Sequence, residues 1–123
     1  LELADEAVHG LAEKTGSVIL MTGESDLVFD ERDKFEISGG SSLMKKITGS
    51  GCMYRAFIAT RLAELRKEPV VNVVRYAAAD YKLNTVRAIK LMKERGTIGT
   101  ASFRQCLIDA MSIATLGEIF DEI

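Results

Sequence analysis

Two glycines, a serine and a cysteine crowd into Thr48-Gly49-Ser50-Gly51-Cys52, immediately ahead of a stretch with helical apolar spacing. A helix that starts there leaves its first N–H groups without intrahelical acceptors, aimed outward at the positive end of the helix dipole. Such a start can receive an anion, worth about 0.3–1 kcal/mol per charge at an exposed site and more where water is excluded. Glycine helps because no Cβ holds a phosphate away from the backbone. Phosphoryl transfer is the chemistry that profits most, since charge spreads over the equatorial oxygens and is stabilised by donors already in place. Cys52 adjoins these donors. A thiol at a helix N-terminus can ionise at about pH 3.5–7.5 instead of about 8.5, which makes Cys52 a candidate proton acceptor or polar anchor for an alcohol. The competing assignment is a small hydrophobe buried in the helix packing.

Other residues invite weaker assignments. Gly40-Ser41-Ser42-Leu43-Met44-Lys45-Lys46 superficially follows a P-loop, but the second glycine before the lysine is missing and the pattern is rejected. Lys45 and Lys46 remain as charges that could attract phosphate or simply be solvated. His9, the single histidine, lies far in sequence from Cys52 and is assigned to a surface or boundary position. Asp80 and Asp109 fall within helical patterns as solvated or capping carboxylates, and Cys106 falls on a buried helix face.

The elements that must position these residues follow from periodicity. Leu3, Ala7, Val8, Leu11 and Ala12 recur at helical spacing, Gly16 ends the pattern, and Val18-Ile19-Leu20-Met21 follows as a strand. Its consecutive apolar positions predict cover on both faces, as in parallel sheets. Leu27-Val28-Phe29 and Phe35-Glu36-Ile37 flank a charged turn and predict an antiparallel hairpin. Ser38-Gly39-Gly40-Ser41-Ser42 is then a loop. From Gly51 to about Arg66, Ala56, Phe57, Ala59, Leu62, Ala63 and Leu65 predict a largely buried helix. Pro69 predicts the first turn of another, running to about Arg95. Gly96 and Gly99 bracket a loop, and Ser102 with Gln105 predicts a capping box for a last helix carrying Leu107, Ile108, Met111 and Ile113. About four helices against few strands describe half of an α/β sandwich. The chain also enters its first helical pattern at Leu1 without an initiator methionine and reads as part of something longer.

Composition sets the outer bounds. A chain of 123 residues supports one domain, and 47% hydrophobic with 28% charged residues are globular values. A net charge of -2 with no concentrated basic stripe argues against extended nucleic-acid binding. No apolar run is long enough for a membrane span and no signal-peptide pattern is present, while two distant cysteines fit a reducing, cytoplasmic setting.

Three segments in order then carry a resemblance: Ile19-Leu20-Met21-Thr22-Gly23-Glu24-Ser25-Asp26, Leu43-Met44-Lys45-Lys46-Ile47-Thr48-Gly49-Ser50-Gly51-Cys52, and Ala101-Ser102-Phe103-Arg104-Gln105-Cys106-Leu107-Ile108-Asp109-Ala110. Together they resemble the C-terminal half of hydroxyethylthiazole kinases, with a ribokinase-like α/β fold (an αβα sandwich). The resemblance implies that residues 1–123 are the C-terminal portion of a single kinase domain using ATP and Mg2+ to phosphorylate hydroxyethylthiazole in thiamine biosynthesis. Thr22 and Gly23 would lie at the ATP. Gly49 would contact the thiazole, Gly49, Ser50 and Gly51 would form the anion hole, and Cys52 would be the base near the substrate hydroxyl. The rival for Thr22 is a strand-end threonine satisfying its own backbone.

The resemblance further implies a homotrimer with active sites at subunit interfaces. It places a magnesium site, an ATP-contacting arginine and part of the substrate pocket in an N-terminal half outside these residues, and no metal ligands within them. Where the family usually reads Gly-His-Pro this chain has Gly40-Ser41-Ser42. Lys45 replaces a usual threonine, and the bulky Met53, Tyr54 and Arg55 follow Cys52. Two alternatives therefore stay open: a ribokinase-like kinase of another small alcohol, and a non-catalytic module for nucleotide sensing or assembly.

Overall fold

A computed structural model describes residues 2–120, with side chains over 3–113. The elements run α1 (Glu2–Thr15), β1 (Ile19–Met21), β2 (Asp26–Phe29), β3 (Lys34–Ile37), a 3-10 helix (Ser42–Lys46), α2 (Ser50–Glu64), α3 (Val70–Arg95) and α4 (Thr100–Phe120). The expected α/β class is met, with four α-helices and one small three-stranded sheet among the described residues. No helix among them is long and apolar enough to cross a membrane.

Contacts divide the chain into two compact units, residues up to Gly39 with Arg55–Ala79, and Gly40–Tyr54 with the residues from Asp80 onward. In the first unit α1 ends where expected, the Gly16 N–H donating to Ala12 O at 2.9 Å. The sheet has the order β1-β2-β3. The predicted hairpin is present, with Asp26 opposite Ile37 and Phe29 opposite Lys34. β1 departs from expectation: it pairs antiparallel to β2, with Ile19 opposite Phe29, and all three of its residues are only half-buried. An unbroken apolar run does not distinguish a strand enclosed between layers from a short strand beside a hairpin. The closed side belongs to β2, where Val28 and Phe29 are buried with Ala12 of α1. His9 joins α1 to the hairpin turn, its ring edge-on to Phe29 at 6.4 Å and its Nε2 donating to Glu31 O at 3.2 Å. Lys34 Nζ donates to Asp5 Oδ2 at 2.7 Å from the other end of the turn.

α2 is less buried than its composition suggests. Tyr54 and Ile58, four apart, are buried, whereas Phe57 and Leu62 are half-buried and Ala56, Ala59 and Ala63 are exposed. Alanine forms helix as readily on an open face as on a covered one, so its recurrence does not mark a buried stripe. Pro69 precedes α3 as its cap rather than entering the first turn, its carbonyl accepting from Asn72 N–H at 3.0 Å and Val73 N–H at 3.2 Å. α3 closes with Thr97 N–H to Met92 O at 3.0 Å and Gly96 N–H to Lys93 O at 3.2 Å, a Schellman end.

In the second unit Phe103, Cys106, Leu107 and Ala110 bury one face of α4, while Ile108 and Ile113 are exposed. The expected capping box is not formed. Phe103 N–H bonds Gly99 O at 3.0 Å, so the helix starts at Thr100 and Ser102 lies inside its first turn.

The hairpin turn gives the fold an acid-sensitive element. Asp30 Oδ1 accepts from Asp33 N–H at 2.6 Å and Arg32 N–H at 2.8 Å, and these two bonds hold the carboxyl below its ordinary range. A carboxylate whose folded value is depressed stabilises the fold above its unfolded value of about 3.9 and loses that contribution as pH falls through the folded value. Asp30→Asn keeps the acceptor but carries no charge to lose. Urea midpoints at about pH 6 and about pH 3 should therefore fall more for the native chain than for Asp30→Asn; an equal fall in both would remove Asp30 from the acid response.

Candidate functional site

The turn ahead of α2 is assembled from a short run of local decisions. Ser41 caps the 3-10 helix, its Oγ accepting from Leu43 N–H at 3.2 Å, and Ile47 then extends at φ -113, ψ 137. Ile47 is buried and anchors the segment from beneath, whereas Lys45 and Lys46 stay exposed beside it. Gly49 turns the chain at φ +87, in the left-handed region where a Cβ costs about 1–2 kcal/mol. α2 begins at the next residue.

Met53 N–H donates to Gly49 O at 2.9 Å, so the amides of Ser50, Gly51 and Cys52 come before the first intrahelical bond and have no acceptor within the helix. They are not enclosed. Gly49 and Ser50 are half-buried, and Gly51 and Cys52 are exposed. A Cβ added at Gly49 or Gly51 would meet no heavy atom beyond the adjacent residues within 4 Å. Space and donors thus coincide, which is what a phosphate group requires. The exposed Cys52 is not the buried hydrophobe of the competing assignment.

Tyr81 of α3 holds this turn from the protein side. It is fully buried, its hydroxyl donates to Ser50 O at 2.9 Å, and its ring stacks on Tyr54 with centroids 4.4 Å apart and planes 6° apart. Burial pushes its phenol up to about 12, so the hydroxyl keeps its proton at physiological pH. Sequence reading missed Tyr81; its one signal was the bulk of Tyr54 so close to Cys52.

Thr22 and Gly23 lie in the other unit, just past β1. Thr22 is exposed, and its hydroxyl makes no hydrogen bond among the described residues, which removes the self-satisfied strand-end assignment. The Gly23 amide is already engaged, donating to Asp26 Oδ1 at 3.0 Å. Asp26 itself is buried and anchors this turn.

The remaining candidates resolve into structural pairs. Asp109 Oδ2 accepts from Arg95 Nη1 at 2.6 Å, Asp80 Oδ1 lies 3.7 Å from Arg87 Nη1, and Cys106 is buried. Among the described residues no group of three or more His, Cys, Asp or Glu side chains is placed to hold a metal ion.

Fold and turn together define the class, an α/β chain with open main-chain amides at a glycine-led helix start. Comparison with known proteins narrows this. A model of the hydroxyethylthiazole kinase family matches residues 2–116. A hydroxyethylthiazole kinase of Leptospira interrogans serogroup Icterohaemorrhagiae is 35% identical over 103 residues, covering 84% of this chain and 36% of the relative. One from Archaeoglobus fulgidus is 32% identical over 122 residues, covering 99% and 42%. A solved hydroxyethylthiazole kinase structure from Pyrococcus horikoshii OT3 superposes with a TM-score of 0.59 at 28% identity, covering 89% of this chain and 41% of that one. The chain belongs to the hydroxyethylthiazole kinase family, and it spans about two-fifths of the length of the relatives it matches.

The turn geometry makes two neighbouring glycines unequal. Gly49→Ala should lower stability by about 1–2 kcal/mol through its left-handed backbone, whereas Gly51→Ala should stay within about 0.5 kcal/mol. Urea denaturation of the two variants checks this, and matching midpoints would contradict the conformation at Gly49.

Proposed function

We propose that residues 1–123 form the C-terminal portion of a single ribokinase-like domain that phosphorylates the hydroxyethyl group of 4-methyl-5-(2-hydroxyethyl)thiazole in thiamine metabolism. The observation that carries this reading is the set of three helix-start amides left without intrahelical acceptors beside Gly49, in a chain of this family. When bound, ATP with Mg2+ supplies the γ-phosphoryl group to the substrate oxygen and departs as ADP.

Gly49, Ser50 and Gly51 form the anion hole, the amides of Ser50 and Gly51 meeting the oxygens on which negative charge grows, a task that needs donors fixed beforehand. Gly49 also lets the thiazole approach the backbone. Cys52 takes the proton released by the alcohol as its oxygen bonds to phosphorus. Thr22 offers a free hydroxyl and Gly23 a compact turn toward the nucleotide. Lys45 and Lys46 add positive charge ahead of the anion hole. The magnesium ligands belong to the N-terminal part of the domain, and the working form is a cytoplasmic homotrimer.

Two substitutions in the whole protein test the assignment. Cys52→Ala removes the proton acceptor at an exposed position and should lower kcat for hydroxyethylthiazole about 100-fold. Gly49→Leu should lower it as well, by straining the turn and filling the space beside the amides. Coupled ADP-release assays read both. Unchanged turnover in both variants would reject these site residues, and a panel of other alcohols preferred over the thiazole would reject the substrate.

A further inference from the structure

We propose that Tyr81 is a positioning residue of the phosphate-receiving turn, holding the Ser50–Gly51 peptide so that the Gly51 amide faces the incoming anion. The inference rests on the reading of that turn as the site of phosphoryl transfer. Ser50 C=O and Gly51 N–H belong to one peptide unit. That unit is planar and trans, so its oxygen and its hydrogen point in opposite directions. A donor that fixes Ser50 O therefore also fixes the direction of the Gly51 N–H. The Tyr81 hydroxyl is such a donor, at 2.9 Å, added to the bond that Ser50 O takes from the helix's own ladder.

A second contact keeps the first in place. Tyr54 lies one helical turn beyond Ser50, and its ring stacks on Tyr81 at 4.4 Å and 6°. Tyr81 thus grips α2 at both ends of its opening turn, hydroxyl on the first residue and ring on the fifth. Gly51, Cys52 and Met53 lie between these grips. Helix ends fray and glycine loosens them further, so an opening turn with Gly49 and Gly51 has little rigidity of its own. Donors that stabilise a transition state must already be oriented when charge develops. The clamp supplies that orientation from buried side chains, as Tyr81 is wholly inaccessible and Tyr54 is 4% exposed.

The test is steady-state kinetics of the whole protein with three variants. Tyr81→Phe keeps the ring and removes the hydroxyl; kcat should fall about tenfold while KM for hydroxyethylthiazole stays within about twofold. Tyr54→Leu withdraws the stacked ring but leaves the hydroxyl, should give a smaller fall in kcat, and decides the matter if Tyr81→Phe does not fold. Val73→Ala, a truncation of a buried α3 residue, should lower stability but leave kcat unchanged. An undiminished kcat in both tyrosine variants overturns the clamp and leaves the kinase reading intact. If the wild-type protein phosphorylates no thiazole, the kinase reading fails, and calorimetry with a non-hydrolysable ATP analogue decides the clamp. About tenfold weaker binding in Tyr81→Phe would sustain it. Equal affinity, or no binding by the wild type, would overturn it.

Discussion

The opening turn of α2 carries a deficit of hydrogen-bond acceptors, and the chain from Ile47 to Tyr54 is arranged around it. A helix cannot satisfy its own first amides. Elsewhere in this protein part of that deficit is met: Ser41 lends its hydroxyl oxygen to the 3-10 helix, and the carbonyl of Pro69 takes the Asn72 amide of α3 beside the first intrahelical bond. At Ser50, Gly51 and Cys52 no side chain intervenes, and the flanking glycines keep the approach open. Ile47 below and Tyr81 behind make an unsatisfied turn a defined one. A helix start left in this state is open to an acceptor from outside the helix.

The first unit follows the same logic with opposite sign. Two aspartates serve as acceptors for turns: Asp30 binds the amides of Arg32 and Asp33 in the hairpin, and buried Asp26 binds the amide of Gly23. In each case the aspartate side chain binds the amides of its own turn between paired strands. The Thr22 hydroxyl is thereby presented at the edge of a turn whose shape is set by Asp26.

Much of this was legible because it is local. The ends of α1 and α3 could be read from Gly16 and Gly96, and the hairpin from two short apolar runs around charged residues. What failed was the inference of burial. The alanines of α2 have the spacing of a core stripe and Val18–Met21 the pattern of a strand enclosed on both faces, yet the alanines are exposed and β1 is half-buried. Neither alanine content nor an apolar run specifies which side of an element meets a neighbour, since that is fixed by residues distant in sequence. Ser102 with Gln105 had the spacing of a capping box, but the start of α4 was settled three residues earlier by Gly99. For the site, composition located the glycine turn and Cys52, while Tyr81, 31 positions beyond Ser50, left only an indirect trace in the bulk of Tyr54.

The two cysteines differ in one respect with practical weight: Cys106 is sealed inside the α4 packing, and Cys52 is open to solvent. Alkylating agents and peroxide reach thiols according to access as well as ionisation. Of the two thiols here, modification of the folded chain would therefore fall on Cys52, at the mouth of the turn. A single spectroscopic tag, or a single oxidative lesion, would report from there while the interior sulfur stayed silent.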